Sequence, residues 1–274
     1  MPRHVPGDLF RLERQTVIVT GGLGSVGTAL AETLSHYGAD VVLIDLPPAP
    51  AKEVWNTLNE AVEGTDRKLF HVSCDVTSED SVSDAFNTAK FLSRYPIRGL
   101  VTCAGLSGRC PAIDYPVESF RRILGINVVG TFLCARATAR IMHDQQVSGS
   151  IVMIASMSGT NVNKAVDTSA YNTSKSAALQ LARSLAAEWG NDGGHAPIRV
   201  NTISPGYILT PITIPTFQEF PELQKIWPEG NMLGRMSTVE EHQSSVVFLL
   251  SDGSSYMTAS DLRVDAGHCS WKRL

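Results

Sequence analysis

Five cysteines in 274 residues, Cys74, Cys103, Cys110, Cys134 and Cys269, make neither a disulfide framework nor a zinc cluster. Their number is odd, their spacing is wide and no two form a C-x-x-C pair. Four lie in apolar or small-residue stretches, so buried reduced thiols are expected, and with them a reducing compartment, the cytoplasm. A basic run is also lacking: 23 Lys and Arg stand against 27 Asp and Glu, for a net charge of −4. That balance argues against nucleic acid or an anionic membrane as a partner. No apolar run reaches the roughly 18 residues that a membrane span needs. Met1 to Gln15 carries no apolar core of a secretory signal, and Lys272-Arg273-Leu274 matches a peroxisomal tripeptide only loosely. What is plentiful is apolar residue, 43%, with 18% charged. That composition supports one large core and excludes a disordered chain.

Short β-branched runs alternate with stretches of helical spacing. Strands are expected at 16–20, 40–44, 68–73, 99–102, 150–154, 198–203 and 261–264. Helices are expected at 25–37, 51–63, 78–94 (N-capped by Ser78), 117–146, 169–190 and 238–250. The first strand, TVIVT, does not alternate, so both of its faces are buried. Strand–helix–strand repetition without a break predicts parallel strands with helical crossovers. The expected fold is α/β: a single domain holding a doubly wound parallel sheet of about seven strands flanked by helices. Residues 207–236 interrupt the rhythm with Pro211, Pro215, Pro221 and Pro228, and read as a lid or binding loop.

The first strand runs into Thr20-Gly21-Gly22-Leu23-Gly24-Ser25-Val26-Gly27, where Gly22, Gly24 and Gly27 spell G-x-G-x-x-G between a strand and a helix. Glycine permits the tight turn and lets a pyrophosphate approach the helix N-terminus, as in the Rossmann fold. The next strand ends at Asp45, whose carboxylate can accept both ribose hydroxyls and repels a 2′-phosphate. NAD is therefore the expected cofactor and NADP the less favoured one. Tyr171 and Lys175, four apart, share one helix face. A phenol ordinarily titrates near 10; an ammonium one turn away, together with the positive nicotinamide ring, should favour the phenolate and make Tyr171 a general base. Ser156 ends the fifth strand and can orient a substrate oxygen.

Taken together, TGGLGSVG at 20–27, CDV at 74–76, CAG at 103–105, Asn127 within GINVVG, Ser156, YNTSK at 171–175 and SPGYILT at 204–210 resemble the short-chain dehydrogenase/reductase family over nearly the whole chain. The flavour of AYNTSK, SPGYILTP and VDAGH is similar to that of fungal polyol and keto-reductase members. The family pattern TGxxxGxG is met at Gly21 and Gly27 but has Ser25 in the middle, and CAG stands where NAG is usual. The resemblance implies a catalytic set of Asn127, Ser156, Tyr171 and Lys175, with Asn127 supporting the catalytic helix and a proton-relay water. It implies a cofactor set of Gly21, Leu23, Gly24, Ser25, Val26, Gly27, Asp45, Leu46, Asp75, Val76, Cys103, Ala104, Gly105, Asn127, Tyr171, Lys175, Pro205, Gly206, Ile208 and Thr210. Within that set Asp75 and Val76 border the adenine, Ala104 and Gly105 the ribose and nicotinamide, and Thr210 the carboxamide. A homotetramer or homodimer is also implied.

The gap from Ser156 to Tyr171 is two residues longer than that family usually has, which places an insert within 160–168. No metal is expected, because His71, His143, His195 and His242 are scattered without ligand spacing. Arg109 reads as a solvated guanidinium near the substrate mouth, and Trp227 and Trp271 as packing aromatics. His268 has no assigned role. The expected activity is hydride transfer between NAD(H) and a secondary alcohol or ketone, on a neutral small molecule. Two alternatives stand beside it: an NADPH-dependent ketoreductase, and a non-catalytic nucleotide-binding or structural protein.

Overall fold

The computed structural model describes residues 6–210 and 213–270. Strand β1 (Thr16–Thr20) is buried at every position. Its side chains divide between two cores because successive Cβ atoms point to opposite faces. Ile18 joins Val42, Ile44, Phe86, Leu100 and Ile151 on one face. Val17 and Val19 join Leu30, Leu34, Val41, Leu43 and Val247 on the other. A strand with two buried faces needs a helix layer on each side. Helices α1 (Ser25–His36), α2 (Lys52–Val62) and α9 (Glu240–Leu250) pack on one side, and α3 (Glu79–Leu92), α5 (Thr131–Asp144) and α6 (Ser169–Trp189) on the other.

The remaining strands are β2 (Asp40–Asp45), β3 (Leu69–Ser73), β4 (Ile97–Thr102), β5 (Gly149–Ile154), β6 (Ile198–Pro205) and β7 (Asp261–Val264). All seven form one parallel sheet in the order β3-β2-β1-β4-β5-β6-β7. The chain reverses direction across the sheet between β1 and β4. In an open α/β sheet ligands bind outside the carboxyl ends of the strands, at such a switch point. Ser78 caps α3 as expected, accepting from the Ser81 amide at 3.3 Å.

Two regions differ from expectation. The stretch 117–146 is not one uniform helix. Helix α4 (Val117–Leu124) passes through a π-helical segment, Gly125–Gly130, into α5. The extra residue per turn there rotates the buried Asn127 toward the loop after β4. The expected lid contains two short helices, α7 (Thr213–Glu219) and α8 (Leu223–Glu229), and its ends are zipped together: Leu209 N–H donates to Ser237 O at 2.8 Å and Ser237 N–H to Tyr207 O at 3.0 Å. Phe217, Leu223 and Trp227 give the lid a small core of its own, on which Val166 of the insert packs. Pro211, Trp271 and the C-terminal tripeptide lie outside the described residues. Among the described residues no helix is long and apolar enough to cross a membrane.

Candidate active site

The loop from β1 to α1 has no room for side chains. Gly21 sits at φ +63°, and a Cβ there would lie 2.6 Å from the Ala104 nitrogen. At Gly22 it would lie 2.8 Å from Leu43 Cδ2, and at Gly27 it would overlap the Gly21 carbonyl. Gly24 differs: a Cβ would meet only the Gly21 oxygen, at 3.4 Å. The G-x-G-x-x-G reading therefore holds for packing at its first and last glycine, with Gly21 as the third tight position. Gly24 is the N-cap of α1 and makes no side-chain cap, which leaves the first-turn amides free for an anion. Beside this loop the Asp45 carboxylate is held on both oxygens. Leu23 N–H donates to Oδ2 at 2.9 Å and Leu46 N–H to Oδ1 at 2.8 Å. At the end of the next strand Asp75 Oδ1 accepts from the Thr77 amide and hydroxyl at 2.9 and 2.7 Å, bonds that hold its carboxyl below the ordinary range.

These groups open one cleft of about 1100 Å³ that runs over the strand ends to the lid. Every residue of the expected cofactor set lines it except two. Leu23 contributes its backbone amide to Asp45, and its side chain packs on the core beneath. Asn127 stands behind the wall, 2% exposed. Its Oδ1 accepts from Leu106 N–H at 2.8 Å, and its Nδ2 donates to Leu106 O and Ser174 Oγ, both at 2.9 Å. It thus ties the loop after β4 to α6, as the resemblance implied for the helix. Both of its amide protons are committed to protein atoms.

At the far end of the cleft Ser156, Tyr171 and Lys175 converge. Lys175 is buried, and its Nζ donates to Ile154 O at 2.7 Å and sits 5.7 Å from the Tyr171 ring centroid. Ser156 and Tyr171 line the cleft beside Lys175. The protein's own groups, without the charge of a nicotinamide ring, do not lower the phenol. Burial raises the Tyr171 phenol above its ordinary value, opposed in part by the nearby Ser156 hydroxyl. Burial also brings the Lys175 ammonium down to about 8. The ammonium is bonded to the Ile154 carbonyl, and for the phenol desolvation is the largest influence. Burial likewise pushes the Cys103 thiol up to about 12, which removes it as a nucleophile.

Several side chains reach the site without a clear signal in the sequence. Ser156 continues into a hydrogen-bonded series through Ser158, Asn163, Thr168 and Asn172, which carries the insert loop back to the residue after Tyr171. Arg109 is no free surface cation. Its Nη2 donates to Thr216 Oγ1 at 3.1 Å, lies 3.5 Å from Glu219, and the guanidinium sits 5.1 Å from the Phe220 ring centroid, so it joins the loop after β4 to the lid. Trp227 stacks on Tyr207 with centroids 4.2 Å apart and also lines the cleft. His268 packs edge-on against Tyr207 at 5.4 Å. Two histidines that look scattered in the chain meet in space: His143 and His195 stack at 3.9 Å, with Asp192 bonded to His195 Nδ1 at 2.8 Å. All five cysteines are free thiols.

Fold and cleft together define a nucleotide-dependent oxidoreductase, and comparison with known proteins narrows the class. A family model described as enoyl-(acyl carrier protein) reductase matches residues 21–268. A short-chain dehydrogenase/reductase, notP', of Aspergillus versicolor is 52% identical over 96% of this chain and 90% of its own. A D-arabinitol 2-dehydrogenase [ribulose-forming] of Candida tropicalis is 34% identical over 96% of this chain and 95% of its own. Among solved structures, gox2181 superposes with a TM-score of 0.89 at 37% identity, covering 97% of this chain and 99% of that one. The NADPH-dependent 3-quinuclidinone reductase of Rhodotorula rubra does so at 0.84 and 32%, covering 98% of each. The chain belongs to the short-chain dehydrogenase/reductase family. It is an NAD(P)-dependent oxidoreductase acting on CH–OH groups.

Proposed function

We propose that the chain moves a hydride between NAD(H) and the reacting carbon of a neutral secondary alcohol or ketone, with Tyr171 as the general acid/base. The observation that carries this reading is the meeting of Ser156, Tyr171 and Lys175 at the end of the cleft that the glycine loop opens. Bound NAD supplies the hydride acceptor and, when reduced, the donor. The cradle fits it: Gly21 and Gly27 let the loop fold tightly on itself, Gly24 leaves the first-turn amides of α1 without a side-chain cap, and the Asp45 carboxylate, fixed by two amides, would meet the ribose hydroxyls. The same carboxylate repels a 2′-phosphate, which favours NAD over NADP. Asp75 and Val76 would border the adenine, Thr210 would hold the carboxamide, and Pro205 and Gly206, with Ile208 beside them, would place the nicotinamide face.

Tyr171 gives its proton to the substrate oxygen in reduction and takes it back in oxidation, while Ser156 hydrogen-bonds the same oxygen. The raised phenol stays protonated and so carries the proton that reduction needs; in oxidation Lys175 together with the positive nicotinamide ring would favour the phenolate. Asn127 holds Leu106 and α6 in place behind them. The substrate wall mixes Leu106, Met157, Val166 and Trp227 with Ser107 and Asn163, and so suits a substrate with both hydroxyls and an apolar face. The relative named for D-arabinitol oxidation supports a polyol or sugar alcohol. We further propose a homotetramer or homodimer, and a reducing compartment, the cytoplasm, in keeping with five free thiols.

The test is a panel of polyols, secondary alcohols and an enoyl thioester with NAD and NADP, followed by cofactor absorbance. Turnover with NAD and a CH–OH substrate is expected. Tyr171→Phe should lower kcat/KM about 10²–10⁴-fold while NAD binding, measured by calorimetry, persists. Undiminished turnover in that variant would remove Tyr171 from the reaction.

A further inference from the structure

The hydroxyl of Ser156 is not free to point where it will. The Ser158 amide donates to Ser156 Oγ at 3.1 Å, and Ser156 Oγ in turn donates to Ser158 Oγ at 3.1 Å. Ser158 Oγ donates to Asn163 Oδ1 at 2.8 Å. Asn163 Nδ2 donates to Thr168 Oγ1 at 3.3 Å, and Thr168 Oγ1 to Asn172 Oδ1 at 3.0 Å. Each partner fixes the next. Because Asn163 turns its amide nitrogen toward Thr168 and Asn172, it presents its carbonyl to Ser158, which must donate. Ser158 then has only lone pairs to offer Ser156, so the Ser156 proton is drawn toward Ser158 and away from Tyr171. Ser156, Ser158 and Thr168 are 8%, 4% and 6% exposed, and Asn163 and Asn172 are half-buried. The series begins at the end of β5, crosses the lengthened loop and closes on α6 beside Tyr171. Ala165, midway, holds φ +63°, a conformation a non-glycine residue keeps only where its surroundings over-determine it.

We infer that Asn163, acting through Ser158, is a positioning residue that sets which way the Ser156 hydroxyl points, and so how readily Tyr171 gives up its proton. The inference rests on the reading of Ser156 and Tyr171 as the reacting pair. With the Ser156 proton drawn to Ser158, a phenolate at Tyr171 receives less from that hydroxyl, and the neutral phenol is favoured. If the Asn163 carbonyl is removed, the Ser158 hydroxyl can turn and donate to Ser156, whose proton is then released toward Tyr171. If the Ser158 hydroxyl is removed, the same proton is released directly. Other titratable or charged groups around the pair are Lys175 on α6, Cys103 at the end of β4, Arg109 on the loop after it and Tyr207 at the lid root. Cys269 Sγ lies 4.0 Å from Met157 O. None belongs to the series, so none is altered directly by the variants.

The experiment titrates phenolate absorbance in the full chain without nucleotide, as the difference between each protein and the same protein carrying Tyr171→Phe. The pH dependence of kcat with NAD and the best alcohol of the panel is the second readout. Ser158→Ala and Asn163→Ala should each raise the Tyr171 ionisation constant about tenfold, the order of one hydrogen bond gained by a charged group. The double variant should go no further, and Ser158→Thr, which keeps the hydroxyl, should match the parent. A midpoint that stays put in Ser158→Ala while the melting temperature falls would reduce the series to loop packing and overturn the inference. Should Asn163→Ala fail to fold, the Ser158→Ala and Ser158→Thr pair still decides. Intact turnover in Tyr171→Phe would instead strike the proposed function, so the two failures are told apart.

Discussion

At the nucleotide end of the cleft, position is set by backbone. Gly21, Gly22 and Gly27 fit only because they lack Cβ atoms, and Asp45 is oriented by two main-chain amides. At the substrate end, position is set by side chains from distant parts of the chain: the Ser158–Asn163–Thr168 series, the Tyr207–Trp227 stack and the Arg109 contact with α7. The first design tolerates almost no substitution and serves a ligand common to many enzymes. The second can be rewritten residue by residue without unfolding the sheet. One structural unit thus keeps a fixed reaction and leaves its specificity open to change.

The comparison breaks if the sheet region proves forgiving. Arg94 makes two bonds to Asp40, at 2.9 and 2.8 Å, and the carboxylate is 1% exposed. Arg94→Ala would leave that charge with the Lys68 amide at 2.8 Å as its remaining partner. A loss of about 3 kcal/mol in urea unfolding is expected, and a loss under about 1 kcal/mol would class the pair with surface ion pairs. Lys175 comes next. Its folded value of about 8 lies below the ordinary 10.5, so between those pH values the unfolded chain binds more protons and stability rises with pH. Below about 8 both states are protonated and the full cost of burying the ammonium is present. Lys175→Met should therefore raise stability at pH 7 by up to about 3 kcal/mol and flatten that rise, as read from melts across pH. Smaller still is the glycine contrast. Gly27→Ala should lose about 1–3 kcal/mol and weaken NAD binding in calorimetry, whereas Gly24→Ala, whose Cβ meets one atom at 3.4 Å, should lose about 1 kcal/mol or less. Equal losses would refute the assignment of Gly21, Gly22 and Gly27 as the tight positions.

What the sequence makes legible follows the same division. Strand β1 and the glycine loop show because burial on both faces and the need for bare backbone leave local marks. Tyr171 and Lys175 show because helix geometry alone puts residues four apart on one face. The protonation behaviour of that pair does not show, since it depends on which carbonyl Nζ reaches and on how much wall covers the phenol. Asn127 is visible as a motif residue, but the π-helical turn that aims it is not, because it arises from bonds to Leu106 and Ser174 across the fold. The short helices α7 and α8 are hidden behind Pro215, Pro221 and Pro228, which read as loop until the Phe217–Leu223–Trp227 cluster shows what they cover. His143 and His195 come together only through tertiary contact, 52 positions apart in the chain.

Arg109 offers the finest test of the division. Like Arg94 it makes a hydrogen bond and an ion pair, yet its carboxylate partner Glu219 is 64% exposed, where Asp40 is 1%. A solvated pair at 3.5 Å is worth less than about 1 kcal/mol, so Arg109→Ala should leave global unfolding unchanged. What it removes is the link between the loop after β4 and α7, which rests on the Thr216 bond and the contact with the Phe220 ring. Amide hydrogen exchange should accelerate about threefold within 213–219 and not in β1 or β4, and KM for the alcohol should rise by a similar factor with kcat little altered. Exchange that quickens in the sheet as well would mean that the lid and the sheet open as one unit, and the separation between a fixed nucleotide end and an adjustable substrate end would fail.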